Sequence, residues 1–197
     1  MIRMDIVSVF HNQVNFSEHE ALKLQIAEHH PEGGYRFVGV DNRINNRGFA
    51  VGCNRGALAA GLDSPIIGFI NPDTWVGGSF IREVEEVVAQ GVTITGCRYG
   101  KSEHELNLWG VRDWVCGASF FVTREFFTRV GGFDEQFVWG WEETDLIRQA
   151  QAAGNPVRSI DLPLRHSSPD MDTPQDIRYK NYHFAAGGKR FNQKWAR

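Results

Sequence analysis

Apolar residues come in short dense runs over the first half of the chain, parted by polar and glycine-rich breaks. Residues 4–10 (MDIVSVF) are apolar and β-branched and stop at His11-Asn12, the pattern of a buried strand. Ser17 and Glu20 have capping-box spacing, and Ala21, Leu22, Leu24 and Ile26 supply the apolar positions of a helix that Pro31 and Gly33-Gly34 end. Residues 35–40 (YRFVGV) predict a second strand, closed by Asp41-Asn42. Residues 48–61 are rich in small side chains and read as a loop entering a helix. Residues 65–70 (PIIGFI) predict a third strand, stopped by Asn71-Pro72-Asp73. A helix over 79–90, capped by Ser79, and a strand over 92–97 complete an alternation of β and α with short links. That order predicts an α/β domain with a mainly parallel, doubly wound sheet.

The second half has a different rhythm. Residues 114–123 (WVCGASFFVT) read as a strand, 124–130 as a short helix, and 131–141 (GGFDEQFVWGW) as a loop. A helix over 142–153 opens with acids, as the helix dipole favours, and Gly154 ends it. Residues 157–161 predict a last strand, and Leu164-Arg165-His166 follow. From about residue 167 the chain turns polar, aromatic and basic, with Lys189, Arg190, Lys194 and Arg197 near its end.

At 197 residues the chain suits one compact domain, or one domain with a short tail, and can bury a core without disulfides. The formal net charge of -3 gives no bulk attraction to nucleic acid. Cys53, Cys97 and Cys116 form neither a CxxC pair nor a zinc pattern and read as buried thiols in a reducing compartment. No apolar run approaches the ~20 residues that span a bilayer, and the first residues lack the form of a signal peptide, so a cytoplasmic location is expected.

Candidate chemistry gathers after the strands, where open α/β sheets bind ligands. His11-Asn12, Asp41-Asn42, Asn71 with Asp73, and His166 all fall there. Asp and Asn are also common turn residues, and a lone His is commonly a core-edge residue, so each has a plain structural explanation. Asp73 behind Pro72 is suited to hold a divalent cation, and Mg²⁺ and Mn²⁺ favour oxygen ligands, with His tolerated by Mn²⁺. The acids Glu142, Glu143 and Asp145 start a helix behind Trp139 and Trp141. They serve either the helix dipole or a general base beside a sugar pocket, since Trp packs on the C–H faces of sugar rings.

Taken in order, VDN (40–42), NRGFAVGCNRGA (46–57), FINPDT (69–74), WVCGASFFVTRE (114–125), GGFDEQF (131–137), WEETDLIRQAQAAG (141–154) and LRHSS (164–168) resemble the family-2 glycosyltransferases of GT-A fold. The likeness is nearest to the rhamnosyltransferase-like and galactofuranosyltransferase-like branch and covers roughly residues 4–168. It implies a Rossmann-like sheet flanked by helices, with a smaller acceptor-side region. It implies donor contacts at His11, Asp41, Asn42, Gly48, Asn54, Asn71, Asp73 and Gly117. Asn71-Pro72-Asp73 matches the family's DxD position, with Asn71 replacing the first acid. Asp73 and His166 become the ligands of Mn²⁺ or Mg²⁺. Glu143, the second of an acidic pair, becomes the catalytic base; Glu142 and Asp145 become neighbours that position substrate, and Trp139 and Trp141 acceptor contacts.

The resemblance therefore implies inverting transfer of a hexosyl or deoxyhexosyl group from a nucleotide-sugar to an acceptor hydroxyl, with Arg98 or Arg112 helping the leaving group. The acceptor would be a carbohydrate or another hydroxyl-bearing molecule, a modified nucleic acid included. Residues 1–168 would form the transferase domain, 1–100 its nucleotide-binding half and 101–168 its acceptor and catalytic half. Residues 169–197 would be a tail or helix that packs back, walls an acceptor site or makes a homodimer contact. Two other readings stand beside this one: a nucleotidyltransferase, for which FHNQVNFSEHE lacks the glycines and basic residues of a phosphate loop, and a non-catalytic nucleotide-sugar-binding module.

Overall fold

The computed structural model describes residues 3–97, 103–166 and 174–196. In chain order its elements are β1 (Met4–Phe10), α1 (Gln13–His29), β2 (Tyr35–Asp41), α2 (Phe49–Ala59), β3 (Ile66–Ile70), β4 (Thr74–Val76), α3 (Ile81–Ala89), β5 (Ile94–Gly96), α4 (Glu103–Trp109), β6 (Ser119–Thr123), α5 (Arg124–Val130), α6 (Glu142–Ala152), β7 (Val157–Ser159), β8 (Leu164–His166) and α7 (Pro174–Trp195). Six strands form one sheet in the order β2-β1-β3-β6-β5-β7, and β4 pairs with β8 in a separate ribbon. β1 lies parallel to β2 and β3, and β5 parallel to β7, while β6 runs antiparallel to both its neighbours.

Alternation along the strands decides which helices cover which face. Ile6 of β1, Ile66 and Ile70 of β3 and Phe121 of β6 pack with Leu22 of α1 and Val84 of α3. Val7, Val9, Ile67, Phe69 and Phe120 face the other way, onto α2, α5 and α6 through Ala57, Phe127 and Ile147. The central strands are thus buried on both sides, which is why β1 and β3 are continuous apolar runs. The mostly parallel sheet between two helical layers is the architecture that the β/α alternation predicts.

Several boundaries depart from the sequence pattern. α1 begins at Gln13, not behind Ser17: the Asn12 side chain accepts the Asn15 N–H at 2.8 Å, so the first capping residue after β1 starts the helix. α3 begins at Ile81, and Ser79 offers no cap; its hydroxyl lies 3.4 Å from His30 Nδ1. Of the run 114–123 only Ser119–Thr123 is strand. Trp114 and Val115 are buried by core packing instead, and the Ser119 N–H closes a turn on Cys116 O. β4, β8 and α4 fall where the sequence pattern marks no element, because three to seven residues are too few for a periodicity to register. Cys53 and Cys97 are buried, but Cys116 is only half-buried.

α7 lies against the domain. Phe191 is 1% exposed, and Trp141 Nε1 donates to Phe184 O at 3.0 Å. Among the described residues no helix is long and apolar enough to cross a membrane.

Candidate functional site

Because β1, β2 and β3 are parallel, their ends bring His11, Asn42 and Asn71 to one edge of the sheet. β6 runs the other way and so begins at that edge, where Ala118 O accepts the Asn71 N–H at 3.0 Å. Two adjoining cavities open there. One, of about 170 Å³, is lined by His11, Asn42, Gly48 and Val9, with Tyr179 and Lys180 of α7 across from them. The other, of about 140 Å³, brings together Asn71, Gly117, Glu142, Glu143 and His166. Phe49 and Trp139 line both, so they form the partition between them.

The first cavity is shaped by the turn into α2. Gly48 has φ of +100°, and a Cβ there would sit 2.7 Å from Val138 O, so backbone conformation and space both require glycine. Asn42 is buried; its Nδ2 donates to Gly48 O at 3.2 Å and its Oδ1 has no partner. The His11 ring meets Trp139 edge-on at 6.2 Å. Three sequence-expected donor contacts, Asp41, Asn54 and Asp73, are not among the residues lining either cavity. Asp41 is exposed and engaged by Arg43 Nη2 at 2.7 Å, an ion pair that holds its carboxyl below the usual range. Asn54 clamps α2 to the loop after α5: its Nδ2 donates to Phe133 O and Glu135 Oε1, and its Oδ1 accepts the Phe133 N–H at 2.9 Å. Its amide is committed to the backbone on both sides, which is why it is not at the cavity wall.

The ribbon of β4 and β8 assembles the expected metal ligands. Thr74 pairs with His166, which sets Asp73, the residue before β4, against the imidazole. His166 Nε2 stands 3.1 Å from Asp73 Oδ2 and 3.5 Å from Asn71 Nδ2, and the buried Asn71 Oδ1 has no partner. Adjacent ligands of an octahedral ion with bonds of about 2.1 Å are about 3 Å apart, so the carboxylate and imidazole are spaced to share one. Among the described residues no third His, Cys, Asp or Glu joins them. Mg²⁺-like ions commonly fill such a shell with water and substrate phosphates, and the orphaned amide oxygen of Asn71 adds a neutral donor. The residues present therefore fit a divalent cation.

The acids at the start of α6 divide into three environments. Glu142 is 5% exposed, its Oε2 lacks a partner, and burial, with the charge of Glu143 adding, pushes its carboxyl well above the usual value near 4.5. Glu143 is half-buried and lines the second cavity, where the missing side chain of Gly117 leaves space: a Cβ at 117 would touch its carboxyl carbon at 3.5 Å. Asp145 is 0% exposed and turned to α7, accepting from Lys194 Nζ at 2.7 Å and Trp195 Nε1 at 2.8 Å. Its carboxylate anchors the C-terminal helix and lies outside the cavity lining. The tryptophans divide likewise. Trp139 faces both cavities, whereas Trp141 packs on Phe184 and Phe191 of α7. Trp141 also has φ of +78°, a conformation that costs a bulky residue of order 1–3 kcal/mol, and it immediately precedes the two glutamates.

Arg112 lies by Gln151, at the far end of α6 from Glu143, so it cannot reach a leaving group at the cavity. Arg98, Ser167-Ser168 and Arg197 lie outside the described residues. Sequence reasoning did not single out Phe49 or Lys180 as site residues. Phe49 was legible only as the first residue of a helix after a glycine turn, and Lys180 only as one basic residue in an aromatic tail.

The comparisons with known proteins agree with the fold. The family model described as the N-terminal domain of galactosyltransferase matches residues 103–169, about a third of the chain. No curated protein matches the chain in sequence. Among solved structures, the catalytic domain of Drosophila beta1,4-galactosyltransferase 7, in complex with xylobiose, is similar at TM-score 0.61 and 14% identity, over 92% of this chain and 80% of that one. A mannosyltransferase from Pyrobaculum calidifontis, in complex with GDP-Man and Mn²⁺, is similar at TM-score 0.61 and 15% identity, over 95% of this chain and 64% of its own. The mannosyl-3-phosphoglycerate synthase of Rubrobacter xylanophilus is similar at TM-score 0.62 and 13% identity, over 98% of this chain and 75% of that one. The fold is that of GT-A glycosyltransferases.

Proposed function

We propose that the protein transfers a hexosyl or deoxyhexosyl group from a nucleotide-diphosphate sugar to an acceptor hydroxyl, with inversion at the anomeric carbon and with a divalent cation, Mn²⁺ or Mg²⁺. The observation that carries this reading is the second cavity, where Glu143, Asn71 and His166 share one wall-to-wall space of about 140 Å³. The nucleoside would occupy the first cavity, between His11, Asn42 and Gly48. The diphosphate would cross at Phe49 and Trp139, and the sugar would enter the second cavity beside Gly117. The order of sequence motifs favours the rhamnosyl- and galactofuranosyltransferase-like branch.

Glu143 accepts the proton of the acceptor hydroxyl. The oxygen attacks the anomeric carbon as the bond to the diphosphate breaks, and the nucleoside diphosphate leaves with the bonding electron pair. A cation held by Asp73 and His166 would neutralise charge that grows on the departing diphosphate. Burial, with the charge of Glu143 adding, disfavours ionisation of Glu142, so the half-buried Glu143 is the better-suited base of the pair. Residues 1–100 then form the donor side and 101–168 the acceptor and catalytic side.

The test is cleavage of UDP- and GDP-sugars with and without Mn²⁺. Glu143→Gln is expected to lower turnover by about 10²–10⁴-fold with nucleoside diphosphate binding intact. Undiminished turnover would remove Glu143 from the reaction. A protein that neither binds nucleoside diphosphates nor cleaves any donor would overturn the reading as a whole.

A further inference from the structure

α7 presents one continuous face to the domain. Lys180, Phe184, Gly187, Phe191 and Trp195 recur at helical spacing along it. Its carboxyl half is fastened: Arg190 Nη2 and Lys194 Nζ reach Asp134 Oδ2 at 2.9 and 3.0 Å, and Lys194 and Trp195 hold the buried Asp145. The pair Gly187-Gly188, costly inside a helix, is explained by close approach, since a Cβ at 187 would sit 2.8 Å from the Trp141 ring. This docking fixes where the amino half of the helix goes. It sets Tyr179 and Lys180 into the wall of the first cavity.

Lys180 Nζ stands 4.6 Å from the centre of the Trp139 ring, and Trp139 is part of the partition between the two cavities. Among the described residues lining either cavity, Lys180 is the only lysine or arginine. A ligand with its nucleoside on one side of the partition and its sugar on the other must carry its phosphates past that ammonium. Anionic oxygens brought close to Glu143 need a compensating positive charge, and a lysine supplies one as a point charge.

We infer that α7 is part of the donor site: Lys180 binds the diphosphate of a nucleoside diphosphate, and Tyr179 closes the nucleoside cavity. This rests on the donor reading of the two cavities above. The helix is then a binding element, locked to the start of the catalytic helix α6 through Asp145.

Calorimetry with UDP and GDP, with and without Mn²⁺, and ligand-observed NMR with uridine and guanosine test it. Lys180→Met is expected to weaken diphosphate binding about tenfold and to leave nucleoside binding within about twofold. It should also flatten the salt dependence of UDP and GDP binding. Lys180→Arg should keep most of the affinity, which a merely structural lysine would not require. Tyr179→Ala should weaken nucleoside and nucleoside diphosphate by the same factor, about three- to tenfold. Diphosphate binding unchanged in Lys180→Met, or a loss shared equally by the nucleosides, overturns the role of Lys180. Unchanged binding in Tyr179→Ala overturns that of Tyr179. If the unaltered protein binds neither UDP nor GDP, the donor reading itself falls, and this inference with it.

Discussion

The two edges of the sheet each bury a carboxyl group, and they treat it in opposite ways. At the amino edge Asp5 is 0% exposed, and Arg36 Nε donates to its Oδ1 at 2.8 Å. Its Oδ2 accepts from the Arg124 guanidinium and the Ser64 hydroxyl, and Arg124 Nε donates to Ser64 O at 2.7 Å. At the carboxyl edge Glu142 is nearly as buried, but its Oε2 has no partner, and neither do Asn42 Oδ1 and Asn71 Oδ1. Buried polar atoms without partners are not confined to this edge, since Ser8 Oγ and His19 Nδ1 share the condition. What distinguishes the carboxyl edge is that three of them collect around two joined cavities. A closed network holds strands together; an open one holds hydrogen-bonding capacity that a ligand can fill.

Substitutions at the two edges should separate along that line. The largest effect is expected on catalysis: Glu143→Gln should lose about 10²–10⁴-fold in turnover while its melting temperature stays that of the parent, measured by donor cleavage beside calorimetry. Asp5→Ala should do the reverse. Breaking a buried pair by removing one partner costs about 3–5 kcal/mol, read by denaturant unfolding, and turnover per folded molecule should hold. Equal loss of turnover in the two variants would erase the contrast. Asp73→Ala should abolish the response of activity to Mn²⁺; full activity in a chelator would exclude a metal at this ribbon.

Glu142→Gln sharpens the comparison further. A carboxyl held above 4.5 in the folded state is still protonated when the unfolded chain has ionised. The folded state then binds more protons, so stability falls as pH rises from about 4.5 towards the folded value. Glu142→Gln removes that slope, and its stability relative to the parent should climb with pH across that range. The smallest effect belongs to the histidines. Burial holds His19 and His30 below 6.5. The unfolded chain takes up protons first as pH drops, so their contribution is present above 6.5 and is lost on acidification below it. Melting temperatures from pH 8 to 5 should show this fall, and His19→Gln should diminish it.

How legible the molecule was depended on the range of the interaction concerned. β1, β2 and β3 were readable because a strand buried on two faces must be apolar along its whole length, and α6 because acids open it and Gly154 closes it. The ribbon of β4 and β8 was not readable, since each strand has three residues and they lie some ninety positions apart in sequence. Among the candidate site residues, Asn42, Gly48, Asn71, Gly117, Glu143 and His166 line the two cavities. Asn54 and Asp145 have the same chemistry, but their bonds to Phe133 and to Lys194 commit them elsewhere, and a sequence carries no record of those partners.

By itself, then, the sequence determined the parallel core of the sheet, its two helical layers and the edge at which polar residues gather, because burial and chain reversal are set by residues close together in the chain. Only the tertiary structure decided which carboxylates face a cavity and which are spent on packing. It alone brought Asp73 to His166 and set Lys180 over Trp139. Those contacts join segments far apart in sequence, and a side chain's role follows from which neighbours arrive to satisfy it.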